Sequence, residues 1–253
     1  MIIPLRLSPL ALAVGTFAAA TTYPTSKCSS VVQSINLSAY NATLLNATTY
    51  AVGAYNLSGT LNNVAFCEVQ ASISYGVNDT LAFSVFLPDT GYSSRLMAIG
   101  NGGDAGVIEY GDMLTDLNSG LGFAVAGGNA GHLVSENEAS PGSGAGAPGV
   151  YQQFLNDEDQ LKAWLHDAIG LFTPAAKALL KTYYGEGPEY SYFRGCSAGG
   201  AQGFSLVEFY PDMFDGVIAG CPFNWATHNM LSFLWNAQHT NVRANDYCLS
   251  PIS

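Results

Sequence analysis

The stretch Tyr190-Ser191-Tyr192-Phe193-Arg194-Gly195-Cys196-Ser197-Ala198-Gly199-Gly200 carries an aromatic segment into a run of small residues with one serine at its tip. A strand that reverses sharply into a helix leaves no space beside its tip, so glycine at 195 and 199 is what such a turn requires. There the Ser197 hydroxyl stands clear of a sheet, and the amide of Ala198 points toward the oxygen of the group under attack. The chemistry implied is nucleophilic acyl transfer through Ser197. The plainer alternative is an ordinary buried turn of an α/β sheet, because small residues cluster by chance in a chain of 28 glycines.

The flanking sequence has the order that such a turn needs. Ahead of it lies the extended aromatic segment; behind it, Ala201 to Phe209 spaces apolar residues at helical intervals until Tyr210-Pro211 stops them. Further strands are expected at Cys67–Tyr75 and Thr80–Leu87, a pair joined by a turn at Asn78-Asp79, and at Arg95–Gly100, Gly122–Ala126 and Phe214–Pro222. Helical spacing runs from Gln152 to Tyr184, with Pro174 expected to separate or kink two helices. Short apolar runs that end in glycine loops and alternate with helices predict an α/β fold, a mostly parallel sheet covered by helices. Two other glycine strings fail on context. Gly100–Ala105 does not follow the opening strand that a dinucleotide fold demands, and Gly142–Gly149 lacks the lysine of a phosphate loop.

A serine nucleophile needs a base, and in this arrangement an Asp or Glu and then a His follow the serine on loops after later strands. His228 and His239 follow Ser197 without a strand to present them. His132 ends a strand loop and could line the cleft, whereas His166, beside Trp164 and Leu165, reads as a packing residue. Asp212 and Asp215 read as shaping the turn into the next strand.

With 253 residues, 48% of them hydrophobic and 11% charged, the chain can bury one sizeable core. A net charge of -11 with eight Lys plus Arg excludes a polyanionic partner, since phosphate contacts need clustered basic side chains. Residues 1–20 hold Arg6, the apolar run Leu10–Phe17 and Ala18-Ala19-Ala20, the pattern of a secretory signal peptide. The run is too short for a membrane anchor, so a secreted, extracellular product is expected. Asn36, Asn41, Asn46, Asn56 and Asn78 each open a glycosylation acceptor triplet. In that oxidising setting Cys28 and Cys67 are candidates for one bridge. Five cysteines leave one over, which points to a missing partner or an intermolecular bond.

The chain resembles the tannase and feruloyl esterase family of secreted α/β-hydrolases. The resemblance rests on Gly195–Gly203, on Tyr210–Gly216, on Gly100-Asn101-Gly102-Gly103 and on Ala163-Trp164-Leu165-His166. It implies hydrolysis of phenolic-acid esters, free or linked to polysaccharide, with Ser197 as nucleophile and no catalytic cofactor. It also implies that Cys196 is bridged to a cysteine directly after the catalytic histidine, and that the family's structural calcium sits in a lid beyond the last strand seen here. No metal ligand is assigned within this chain. In that mechanism the Ala198 amide and the Gly102-Gly103 loop hold the oxyanion.

The expected organisation is therefore a signal peptide at 1–20, an irregular arm at 21–63, a partial α/β-hydrolase core at 64–222, and a lid start or truncated tail at 223–253. On this reading the sheet is incomplete on its C-terminal side, the partner of Cys196 is absent, and the fragment alone should be nearly inert. Two other readings share the scaffold: a serine peptidase or lipase, and a secreted glycoprotein without activity. Oligomeric state is left open.

Overall fold

The computed structural model describes residues 26–133 and 153–240. The expected leader, the Gly142–Gly149 segment and Cys248 lie outside them. In chain order the elements are α1 (Ser26–Ser34), β1 (Ala42–Tyr50), a small hairpin of β2 (Asn56–Leu57) and β3 (Thr60–Leu61), β4 (Phe66–Tyr75), β5 (Asp79–Pro88) and β6 (Arg95–Ile99). There follow α2 (Tyr110–Leu117), β7 (Phe123–Gly128), α3 (Glu158–Lys162), α4 (Ala168–Tyr184), β8 (Tyr190–Cys196), α5 (Ala198–Phe209), β9 (Gly216–Gly220) and α6 (Ala226–Thr240).

Seven strands form one sheet in the order β1-β4-β5-β7-β6-β8-β9. Its first half is an antiparallel meander, and β7, β6, β8 and β9 run parallel. Side chains alternate across the sheet with period two and fill two separate cores. On one face Val69, Ile73, Phe83, Val85, Leu96 and Phe193 meet Phe172, Leu179 and Leu180 of α4 and Leu206 of α5. On the other, Phe66, Phe86, Met97, Ile99 and Val125 meet Met113, Leu114 and Leu117 of α2. The central strands, covered on both faces, have no solvent-facing side, which is why they read as nearly unbroken apolar runs.

Three expectations change. The segment 21–63, read as an irregular arm, supplies α1 and the nine-residue β1, which pairs with β4 from Ala42↔Ile73 to Tyr50↔Phe66. Its Ser, Thr and Asn content conceals a strand because β1 is an edge whose outward side chains meet water. Pro174 neither divides nor ends a helix; α4 runs through it. The flanking Phe172, Ala175, Ala176 and Leu179 are fully buried against the sheet, and that packing outweighs the single backbone bond that proline forfeits. The irregularity falls earlier, in a π turn at Ala163–Asp167. Finally, the stretch after Asn224, which shows no order in its sequence, is the helix α6. Leu231, Phe233, Leu234 and Trp235 stand exposed along it, so no apolar stripe marks a period.

The disulfide Cys28–Cys67 ties α1 to β4, closing a separation of 39 residues with both cysteines buried. Replacing both by serine should lower unfolding stability by ~2–4 kcal/mol through the freed unfolded chain, measured by urea denaturation.

At the C-terminal end of α4, Tyr183 Oη donates to Asp89 Oδ1 at 2.6 Å and Tyr184 Oη donates to the Pro88 carbonyl at 3.0 Å, fastening the helix to the end of β5. Burial raises the Asp89 pKa, and the tyrosine hydrogen bond only partly opposes it. A carboxyl with a raised native pKa contributes stability that is complete below its unfolded value, about 4, and is lost as pH rises through the native value. Asp89→Asn should remove that component, leaving a flatter stability–pH curve above pH 4 in denaturation series.

Candidate active site

β8 delivers the chain to Ser197 and α5 carries it away. Ser197 itself has φ 60° and ψ -118°, a conformation that L residues adopt at a cost of ~1–3 kcal/mol unless the surroundings impose it. They do so with three backbone bonds. Ser197 N–H donates to the Gly220 carbonyl at 3.1 Å, and the Ser197 carbonyl accepts from Ala201 at 3.1 Å and from Phe223 at 2.8 Å. The turn is thus stapled to its own helix and to the end of β9. Ser197 is exposed, and Ala198 beneath it is buried.

The glycine loop after β6 lies directly against this turn. A Cβ at Gly195 would fall 2.5 Å from the Gly199 carbonyl oxygen, and one at Gly199 would fall 2.9 Å from the Asn101 oxygen. The two backbones therefore touch where no side chain fits. Ala198, as the first residue of α5, has an amide outside the helix's own hydrogen-bond ladder, at the end of the dipole that favours negative charge. Of the two loop candidates for an oxyanion donor, Gly102 donates its N–H to Glu109 Oε1 at 3.0 Å. Gly103 is exposed with φ +54° and nothing near its Cβ position. Its carbonyl accepts from Trp164 Nε1 at 3.2 Å.

Below the loop lies a small apolar cluster of Ala105, Ala130, Phe154, Trp164 and Ala198. Gln202, 1% exposed in α5, crosses it and accepts from Asn101 N–H at 3.0 Å. Asn101 Nδ2 donates in turn to the Gly128 carbonyl at 2.7 Å. Neither Asn101 nor Gln202 stood out in the sequence as a site residue. The available signal was a polar residue on the buried side of an otherwise small and apolar helix start.

The histidines are elsewhere engaged. His132 is buried, its Nε2 2.7 Å from the Asp104 carbonyl and its ring stacked on Phe154 at 4.1 Å. His166 Nδ1 lies 2.6 Å from Asp167 Oδ1, with the ring over Phe209. His228 pairs with Thr227, and His239 Nδ1 faces the Trp235 carbonyl. Among the described residues no side chain hydrogen-bonds Ser197 Oγ. Asp215 joins β8 to the turn before β9, accepting from Ser191 N–H at 2.7 Å; its carboxylate is spent on the sheet.

Cys196 departs from the expected pattern. It is bonded to Cys221, 25 residues on, rather than lacking a partner. The parallel pairing sets Cys196 opposite Gly220, so the residue after β9 arrives beside the serine turn. The strand register is long-range information that cysteine spacing does not carry.

The calcium implied by the resemblance does not fit the described stretch after β9: from Gly216 to Thr240 there is no carboxylate to supply hard oxygen ligands. Asp79, Asp157 and Asp159 do bring oxygens within 4.8 Å of one another at the start of α3. Asp157 Oδ1 there caps the helix, accepting from Asp159 and Gln160.

Comparison with known proteins bears on this geometry. The family described as tannase and feruloyl esterase matches residues 67–253. The chain belongs to that family. A probable feruloyl esterase B-1 of Aspergillus flavus is 31% identical over 240 residues, covering 89% of this chain and 41% of the relative. The crystal structure of feruloyl esterase B from Aspergillus oryzae superposes with a TM-score of 0.64 at 30% identity, over 78% of this chain and 37% of that one. An esterase from the same organism gives 0.70 at 30% identity, over 88% and 43%. Tannin acyl hydrolase from Aspergillus niger shares the fold, with a TM-score of 0.63 at 22% identity over 88% and 42%. The chain spans about two-fifths of the length of the curated family members it matches over most of its own length.

The contact between turn and loop sets a graded prediction. Gly195→Ala drives a methyl into backbone and should cost several kcal/mol or prevent folding. Gly103→Ala, with open space and only a positive φ to strain it, should cost about 1 kcal/mol. Urea unfolding of the two variants measures the contrast.

Proposed function

We propose that the protein is a serine carboxylic ester hydrolase acting on esters of phenolic acids, free or attached to polysaccharide, with Ser197 as its nucleophile. The observation that carries this reading is the exposed serine held at φ 60° between β8 and α5, with the Ala198 amide and the glycine loop beside it. Family membership narrows the reaction to ester hydrolysis, and the relatives named feruloyl esterase narrow the acyl group.

In the reaction, Ser197 Oγ attacks the ester carbonyl while a base accepts its proton. The carbonyl π electrons move onto oxygen, where the Ala198 and Gly103 amides donate to it. Collapse restores the carbonyl, breaks the bond to the alcohol and returns the proton to the leaving oxygen. Water, activated by the same base, then releases the acid from Ser197. Among the described residues no histidine is directed at Ser197: His132, His166, His228 and His239 are engaged with other partners. The aromatic residues after β9 stand close by: Phe223 is hydrogen-bonded to Ser197 through its backbone, and Trp225 is 80% exposed. Rings of this kind give a phenolic acyl group a surface on which to stack.

Export fits the same reading. Residues 1–20 direct secretion, and Asn36, Asn41, Asn46, Asn56 and Asn78, all exposed, carry glycans. Among the described residues no helix is long and apolar enough to cross a membrane.

In the intact gene product, Ser197→Ala should reduce methyl ferulate hydrolysis by a factor on the order of 10⁶, to background. A fluorophosphonate should label Ser197 in the wild-type protein, read by peptide mass spectrometry. Undiminished hydrolysis by the alanine variant, or no hydrolysis and no label in the wild type, defeats the proposal. Cleavage of peptide amides or long-chain acyl esters in preference to methyl ferulate would replace it with the peptidase or lipase reading.

A further inference from the structure

Gln202 sits in the second turn of α5, the helix that begins at the candidate nucleophile, and every polar atom of its amide is engaged. Oε1 accepts from Asn101 N–H at 3.0 Å, and Nε2 donates to the Trp164 carbonyl at 2.7 Å and reaches Asn101 Oδ1 at 3.5 Å. Trp164 in turn donates from its indole to the Gly103 carbonyl at 3.2 Å. Two routes therefore run from one side chain to the glycine loop: directly to Asn101, and through the π turn to Gly103.

The surroundings make this a costly place for an amide. Its neighbours Trp164 and Ala198 belong to an apolar cluster, and Gln202 is 1% exposed. An amide buried there loses its water and is retained without penalty only if all its partners are aligned. Space-filling alone would be met by Leu or Met. Glutamine is the side chain of this length that accepts with one atom and donates with the other. Those are the complementary demands of the Asn101 amide and the Trp164 carbonyl. The sheet's backbone ladder by itself does not set the loop's height: Gly100 is the last loop residue whose backbone bonds to a strand, through Arg194, and Asn101 reaches Gly128 of β7 only with its side chain.

Resting on the ester-hydrolase reading, we propose that Gln202 is a positioning residue for the oxyanion hole. It locks the glycine loop to the helix of the nucleophile, so that the Gly103 and Ala198 amides converge on one oxygen. It touches no substrate and acts through Asn101 and Trp164.

The test uses the intact gene product with Gln202→Met, which keeps the volume and removes the hydrogen bonds. Gln202→Glu, which keeps the shape and replaces the Nε2 donor by an oxygen, is the second variant should the first not fold. Active sites are counted by fluorophosphonate titration, so that misfolded protein does not enter the rate. Expected for both variants is a kcat on methyl ferulate ~10–100-fold lower per titrated site, with KM within about twofold. The affinity for a trifluoromethyl ketone that forms a tetrahedral adduct should fall by the same factor as kcat. Hydrogen exchange at the Asn101 amide should accelerate in Gln202→Met while the amides of α4 keep their protection.

Unchanged kcat per titrated site, or unchanged exchange at Asn101, overturns the proposal. So does a loss confined to KM. A wild-type protein without esterase activity defeats the function proposed above instead. Normal turnover in variants with a loosened Asn101 defeats this inference alone.

Discussion

Everything about the site follows from one steric contact: the backbone of Gly100 and Asn101 rests on the backbone of Gly199, with no atom to spare between them. That contact sets the loop after β6 directly against the helix start after β8. Two residues before Gly199, Ser197 holds φ 60°, a conformation it would not otherwise choose. Strain of that kind persists only where the surroundings over-determine it. Here they do so through bonds from Ser197 to α5, to β9 and to the segment that follows β9.

The rest of the sheet can be understood as what holds this contact still. The parallel strands β6 and β8 are neighbours in register from Arg95↔Tyr190 to Ile99↔Arg194, so their C-terminal ends, where the loop and the turn emerge, lie level. Arg194 braces that edge from the side, donating to Asp116 at 2.7 Å and thereby holding α2 beneath it. The antiparallel half contributes no candidate site residue. It supplies instead the two buried faces, the Cys28–Cys67 bond and the broad attachment of α4, which together set the rigidity on which a precise site depends.

Polar groups then finish what packing begins. Asn101 and Gln202 are buried amides whose bonds cross between elements far apart in the chain, so they fix orientation where apolar contacts fix only proximity. The same distinction explains the histidines. Each is satisfied locally, by a carbonyl, an aspartate or an aromatic ring, and none is directed at the serine.

Much of the local structure was legible in the chain itself. The strand–turn–helix around Ser197, the hairpin of β4 and β5, and the glycine loop after β6 follow from periodicity and from residues whose backbone demands are local. What periodicity misses is what distance in sequence conceals. The edge strand β1 looked irregular because half its surface is wet, and α6 showed no stripe because its apolar residues are not gathered on one buried face. Pro174 does not separate two helices because helix propensity is weaker than the packing on either side of it. The pairing of Cys196 with Cys221 depended on strand register. So did the convergence of Gln202 on Asn101, across a separation of 101 residues. Local rules of steric fit determined which residues could form a reactive turn; only the folded sheet decided what that turn would meet, because strand order and register bring together groups that no window of sequence contains.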